Sequence, residues 1–463
     1  MPQQDESRSL QEQFEQVIAT GDKLQITDFL NDQNISDVAE LIYDNPDYES
    51  QIIGNLSIHR ASSVFRILDV ASQKSIIKEL PPFKTAELLN ELPADDRTSF
   101  LEELPSGVVK ELIRLLDPEE RKVTLSLLGY PEGSVGRLMT PDYIAVNVDW
   151  TVREVLDHIR EEGKHSETID VIYVIDEKGV FLDDIRIREF LLASPDKLVS
   201  DLVDGRYITL HVNDEQESAY QVFKMNNRVA LPVLDDNDVL LGIVTIDDVL
   251  WVASEEFTED IQKIGGTEAL DEPYLEIGII KLVRKRAGWL IILFLSEMLT
   301  ATAMQHYQDE IAKAVVLSLF IPLIMSSGGN SGSQASTLII QAMALGELTL
   351  NDWWKVMRRE LLSGVILGAI LGSIGYLRIF LWQNLHIFSY GAYWSRLATV
   401  IFFSLIGIVL WGSLMGSMLP IILKRLRLDP ATSSAPFVAT LVDVTGIVIY
   451  FSVAYIFFRG ILL

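Results

Sequence analysis

The 463-residue chain contains no cysteine, which removes disulfides, thiolate metal centres and cysteine nucleophiles at once. Histidine is nearly as scarce, with six scattered residues and no HExxH helix. The G-x-x-x-x-G-K-[ST] loop of nucleotide hydrolases and the G-x-S-x-G nucleophile elbow are missing too, so the chain reads as no enzyme. Positive charge is also short. Lys and Arg number 38 against 65 Asp and Glu, a formal charge of −27, and such a surface repels nucleic-acid phosphates while attracting cations. The first thirty residues have neither the basic start nor the apolar stretch of a secretory signal, so the amino-terminal half is expected to stay in the cytoplasm.

What is present is unevenly spread. Residues 1–280 carry 57 acidic and 24 basic side chains, whereas residues 281–463 carry 8 and 14, so an acidic soluble half is joined to an apolar one. Within residues 1–136, Leu56, Leu68, Leu80, Leu92, Leu104 and Leu116 recur every twelve positions, with Pro81, Pro93, Pro105 and Pro118 just after the leucine or one residue on. Proline suits a first helical turn and not an interior, so each unit reads as a short helix, a turn and another short helix. Units this short bury their apolar faces only by stacking, which predicts a superhelical α-helical domain; an ordinary helical bundle is the competing reading.

A second repeat follows. VIDEKGVFLDDIRIREFL (174–191) aligns without a gap to VLDDNDVLLGIVTIDDVL (233–250), each reading strand, turn, strand, helix and each preceded by an extended segment and a helix. Two such β-α-β-β-α copies over residues 137–253 resemble a tandem pair of cystathionine-β-synthase (CBS) domains, an α+β unit. That resemblance implies an adenine nucleotide such as ATP between the copies, with Thr245 and Asp248 of the G-h-h-T-x-x-D pattern as its ligands; Asp248 as a plain helix cap is the alternative. The first copy has Asp183, Arg186 and Glu189 there instead.

From Ala287 to the carboxyl end the chain reads as membrane. Five apolar segments, near 287–305, 314–346, 361–383, 397–422 and 434–458, are each long enough to cross about 30 Å of hydrocarbon. Ten basic residues flank one side of these spans and four the other, which puts the acidic half in the cytoplasm and the carboxyl terminus outside. The second segment is too long for one straight crossing. Its centre, FIPLIMSSGGNSGSQASTLII, combines Pro322, three glycines and many oxygen-bearing side chains, a composition tolerated at membrane depth where it lines a wet cavity or packs against protein. GxxxG spacings at Gly364, Gly368 and Gly372, and at Gly412 and Gly416, read as helix packing.

The fifth segment holds Asp443 with no basic residue inside it. Nine residues beyond Ser434 puts that carboxylate about 13 Å deep. Ionised there, it is met by a passing cation in a hydrated pore; the alternatives are a protonated Asp bonded to another helix, or a proton shared with Glu297 of the first span. An all-oxygen lining without His or Cys favours a hard cation, and a single Asp holding a hydrated ion suits Mg²⁺.

GGNSGSQAS, QAMALGEL, the RRE before the third span and LDPATSSAPFVATLVDVTGIVIYF closely resemble the membrane domain of the MgtE family of magnesium channels. The resemblance implies a homodimer in the plasma (inner) membrane in contact with lipid. Its parts would be a helical domain (1–136), the CBS pair (137–253), a connecting or plug helix (254–286) and a five-span all-α pore domain (287–463). It also implies Asp443 as the central Mg²⁺ ligand, Ser333 and Thr337 as pore lining, and closure by intracellular Mg²⁺ bound between acidic surfaces. The candidates for that sensor are Asp95, Asp96, Asp247 and the segment SEEFTEDIQ, with Glu255, Glu256, Glu259 and Asp260; Asp429 joins them by motif. Two other readings compete: a proton- or sodium-coupled divalent cation exchanger, and a membrane-anchored nucleotide sensor.

Overall fold

The computed structural model describes residues 2–270, 274–275, 277–313 and 315–459, and the chain divides into two compact units, Met1–Ser254 and Glu255–Leu463. In the first unit, six consecutive helices begin at Ile58, Val70, Pro82, Ala94, Ser106 and Pro118. The twelve-residue period therefore holds one helix per unit, not the helix-turn-helix expected. The repeated leucine falls at or just after a helix end: Leu56, Leu80 and Leu92 occupy the closing position, Leu68, Leu104 and Leu116 follow it by one or two residues, and all but Leu104 are buried. Each such leucine contributes about 1.5–3 kcal/mol by leaving water. Pro81, Pro93 and Pro105 immediately precede the next helix and Pro118 opens one, positions where the missing N–H costs nothing. Helices pack mainly on the next but one, giving two layers around a continuous core.

Arg97 staples the end of this array. Its side chain is fully buried, donating to Leu89 O and Leu92 O at 3.1 Å, to Thr124 Oγ1 at 2.8 Å and to Glu120 Oε2 at 2.5 Å. The guanidinium thus satisfies carbonyls that the leucine-closed turns leave unpaired.

The duplicated segment forms two three-stranded sheets. β1 (Ala145–Asn147), β2 (Val171–Ile175) and β3 (Phe181–Arg186) lie in that order, with β1 parallel and β3 antiparallel to β2; β4 (Leu210–His211), β5 (Ala230–Leu234) and β6 (Leu240–Thr245) repeat the arrangement. Both copies carry a register shift at the same place, after Val174 and after Val233. A bridge between Val180 and Val239, with the shared cluster of Tyr173, Phe181, Leu240 and Ile243, joins the sheets. One aligned pair, Asp183 and Gly242, sets the copies apart in how the strand is held. A side chain at Gly242 would meet Thr140 O at 2.7 Å, so β6 needs glycine to bond that strand-like segment. In β3 the equivalent Asp183 instead accepts from the Asp204 and Gly205 amides at 2.7 and 3.1 Å.

The last helix of the second copy runs unbroken from Ile246 to Ile264, so the expected boundary at 253/254 falls inside one helix. Residues 271–273 and 276 of the expected connecting segment lie outside the described residues, as do residues 460–463 at the carboxyl end, whose expected position across the membrane is thus not described.

Among the described residues the second unit contains five helices long and apolar enough to cross a membrane. The first span, Ile279–His306, starts ahead of the expected Ala287. The long second segment breaks before its polar centre: short helices Gln308–Lys313 and Val315–Ser318 precede the second span proper, Ile321–Ala344. Pro322 sits in the first turn of that helix, where its missing N–H costs nothing, and the glycine run beyond it is regular helix. The glycines serve packing. A β-carbon at Gly412 or Gly416 of the fourth span (Trp394–Arg425) would collide with the carbonyls of Gly328 and Gly332. Gly364, Gly368 and Gly372 of the third span (Trp353–Asn384) press likewise on the backbone at Leu410, Ile406 and Phe402, as their GxxxG spacing predicts. The fifth span is Ala435–Phe458.

Candidate functional site

The fifth span is anchored at its first turn by polar contacts from three directions. Ser434 accepts from its own helix at Phe437 N and from Trp289 Nε1 of the first span, the latter at 3.0 Å. Ser336 Oγ and Ser333 Oγ of the second span donate to Ser433 O and Ala435 O, both at 2.9 Å. Ser333, expected as pore lining, thus holds the seam between second and fifth spans and is half-buried, whereas Thr337 is exposed one turn on. Ser326, Asn330, Gln334 and Thr337 form an exposed polar stripe along the second span at helical spacing.

Two turns into the fifth span lies Asp443, half-buried beside that stripe. A β-carbon built on Gly329 would come within 3.8 Å of Asp443 Oδ1, so a glycine face lies against the carboxylate. Among the described residues no hydrogen-bond donor or cation partners the Asp443 carboxylate. Thr440, its neighbour one turn back, spends its hydroxyl on Pro436 O at 2.9 Å. An oxygen-only surface with an open carboxylate at its centre can attract and release a cation without shedding all its water.

Below it, Asp429 accepts from Ala431 N at 2.8 Å and from Lys263 Nζ at 2.7 Å, and the same ammonium also pairs with Glu259. Burial disfavours the ammonium, but the hydrogen bonds to Asp429 and Glu259 outweigh that and raise its affinity for the proton. Two expected metal ligands therefore already share a tethered cation, Lys263, 166 residues from Asp429 in sequence. Glu255, Glu256 and Asp260 ride on the same helix.

A second cluster lies in the first unit. Arg66 Nε stands 2.9 Å from Asp96 Oδ2, with Nη1 at 3.6 Å from Glu167 and Nη2 at 3.5 Å from Asp247. Asp96 and Asp247, expected from two distant parts of the sequence, converge on this one guanidinium, with Asp95 next to Asp96 in the chain. Burial, with Asp248 and Asp96 beside it, pushes the Asp95 carboxyl well above the usual range, and neither of its oxygens finds a partner. Asp96 is pushed up by burial to about 7, against the pull of Arg66, and Asp248 by burial to about 6, against its bond from Thr245. The Thr245 hydroxyl lies 2.5 Å from Asp247 Oδ1 and 2.6 Å from Asp248 Oδ2, but it has one proton to give. Protons or further cations fit the remaining carboxylate oxygens. The spacing is wider than an all-protein cage: among the described residues no group of three or more His, Asp or Glu is arranged to ligate one ion directly.

Thr245 and Asp248, expected as nucleotide ligands, have carboxylates for neighbours, which repel a phosphate. An open cleft of about 300 Å³ lies instead at the aligned positions of the first copy, lined by Asp183, Asp184, Glu189, Arg186, Arg206 and Arg228. Arg228 Nη1 pairs with Asp184 at 2.6 Å. Arg66, Glu167, Lys263 and this cleft were not singled out from sequence; a lone Arg in a helical array carries no motif, and its partners come from distant segments.

The family described as MgtE, divalent cation transporter, matches residues 321–453, the MgtE intracellular N domain matches residues 33–133, and CBS domains match residues 135–196 and 199–255. The chain is 38% identical over 343 residues to the magnesium transporter MgtE of Thermus thermophilus, covering 73% of each chain. It is 30% identical over 342 residues to the magnesium transporter MgtE of Enterococcus faecalis, covering 74% of this chain and 73% of that one. A crystal structure of the cytosolic domain of the Mg²⁺ channel MgtE in complex with ATP is similar at a TM-score of 0.50 and 30% identity, covering 52% of this chain and 98% of the other.

Proposed function

Since the chain belongs to the MgtE family of divalent cation transporters, we propose that it is a magnesium channel of the plasma membrane, working as a homodimer and admitting hydrated Mg²⁺ down its gradient. The observation that carries this reading is the open carboxylate of Asp443 beside a polar stripe that no span covers among the described residues. Exposed Asn330 and Gln334 are costly in lipid, and a second copy facing the stripe would enclose them in water with two Asp443 carboxylates, enough to neutralise one divalent ion. Mg²⁺ flux into liposomes holding only the purified protein tests it. Asp443→Ala and Asp443→Asn are expected to lose flux while still forming dimers; normal flux in either removes Asp443 from the pathway. A channel leaves lumenal pH unchanged during uptake, whereas proton-coupled exchange does not.

Intracellular Mg²⁺ closes this channel in our reading. The crowded carboxylates around Arg66 and the Glu259–Lys263–Asp429 contact support it, because both gather more negative charge than their own side-chain cations neutralise. Water-mediated Mg²⁺ bridges suit the wide spacing of these acids. Moving a pore from roughly 99:1 open to 1:99 needs about 5.5 kcal/mol of differential binding, so several ions act together. For an adenine nucleotide we assign the cleft of the first copy over Thr245 and Asp248, since Arg186, Arg206 and Arg228 suit phosphates. Calorimetric titration of ATP into the Arg206→Ala and Asp248→Asn variants separates the two.

A further inference from the structure

The first span carries one acidic side chain inside its apolar run, Glu297, and it is exposed on the helix surface. A carboxylate at membrane depth is costly unless it faces water or a cation. Its depth is set by two pins between the first and fifth spans, which run in the same direction. Near the start, Trp289 Nε1 donates to Ser434 Oγ at 3.0 Å and its ring lies 6.1 Å from Phe437. Near the far end, Tyr307 stacks on Phe451 with centroids 4.7 Å apart. Counting from the first pin, Glu297 is eight residues beyond Trp289 and Asp443 nine beyond Ser434, about 12 and 13 Å along parallel helices. Both spans reach the second pin within ten residues more. The two carboxylates therefore share one depth, and Glu297 lies close enough to Asp443 for their charges to interact.

We propose that Glu297 is a second carboxylate of the Asp443 site, a specificity-determining residue that doubles the negative charge each protomer offers a divalent cation at that depth. The inference rests on the reading of Asp443 given above. One Asp per protomer neutralises a single divalent ion in a dimer. With Glu297 the site holds twice that charge, which tightens capture of hydrated Mg²⁺ at low concentration and favours a second ion following the first. Attraction of this kind is outer-sphere, because neither carboxylate needs to replace a water of the ion.

The test uses full-length protein in liposomes, with Glu297→Gln, Glu297→Asp and Asp443→Asn compared at matched dimer content and melting temperature. Glu297→Gln is expected to raise the Mg²⁺ concentration for half-maximal flux at least threefold, and to weaken block by the substitution-inert hexamminecobalt(III) cation by a similar factor. Glu297→Asp, which keeps the charge, is expected to stay within twofold of the parent. If Asp443→Asn loses flux while Glu297→Gln matches the parent in both readouts, Glu297 is not part of the site. A change in melting temperature alone, without a shift in half-saturation or block, likewise overturns it. If Asp443→Asn keeps normal flux, the Asp443 reading itself fails, whatever Glu297→Gln does.

Discussion

Gly329 of the second span lies against Asp443 of the fifth so closely that an added methyl group would sit 3.8 Å from the carboxylate oxygen and 3.3 Å from the side chain of Ala439. Such a methyl fits after shifts of a few tenths of an ångström, but it takes the space a water would use beside the carboxylate. Gly329→Ala is therefore expected to fold and dimerise while lowering Mg²⁺ flux about tenfold, equivalent to ~1.4 kcal/mol. Flux within twofold of the parent would show that the ion does not need that face.

The carboxylates around Arg66 make a prediction about pH. Asp95, Asp96 and Asp248 hold their protons more tightly folded than unfolded, with Asp96 at about 7 and Asp248 at about 6. A folded state that binds more protons is favoured at low pH, and this stability is lost as pH rises through those values. Without divalent ions the cytosolic unit is expected to melt at a higher temperature at pH 5 than at pH 8. Added Mg²⁺ should stabilise it more at pH 8, where the carboxylates are ionised. Equal Mg²⁺ stabilisation at both values would separate the cluster from ion binding; Asp95→Asn should shrink the pH effect.

Lys263 holds Glu259 and Asp429 together without a metal. Lys263→Met leaves the two carboxylates facing each other, so the contact should come to depend on divalent ions. Protease cleavage between residues 264 and 278 is expected to rise several-fold in Mg²⁺-free buffer and to return to the parent level in millimolar Mg²⁺. The parent should show a smaller difference between the two conditions.

Arg97 answers to a different measurement. Arg97→Met keeps the volume but strands two backbone carbonyls and Thr124, with Glu120 partly exposed on the far side. We expect a loss of about 2–4 kcal/mol, seen as a lower denaturation midpoint of the first unit with Mg²⁺ flux retained.

Much of this architecture was legible in local pattern. The twelve-residue leucine period predicted a stacked helical array but put two helices in each unit where there is one, because proline and a closing leucine mark a helix boundary without saying how many helices lie between boundaries. The gapless alignment of residues 174–191 with 233–250 placed two sheets whose irregularities fall at matching positions. The place of Pro322 within its helix was not legible, since it depends on where the preceding chain breaks. The convergence of Arg66 with Asp96, Glu167 and Asp247 was invisible for a plainer reason: their separation in sequence carries no period, and only the folded chain brings them together.

The glycine seams have a mechanical consequence. The second, third and fourth spans meet backbone to backbone at Gly332, Gly364, Gly368, Gly412 and Gly416, and surfaces that close cannot slide without climbing over one another. Val438 and Val442 of the fifth span seat against Gly332 and Gly328 and join it to this block. The first span is different: only 6% of its most apolar stretch is buried, and it is tied to the rest through the rings of Trp289 and Tyr307. Rings can swing about their side-chain torsions where glycine backbones cannot. If the channel closes as proposed, the first span is the one expected to move against the other four, so a fluorophore pair reporting on the first and fourth spans should change its separation when Mg²⁺ is added while one on the second and fourth stays constant.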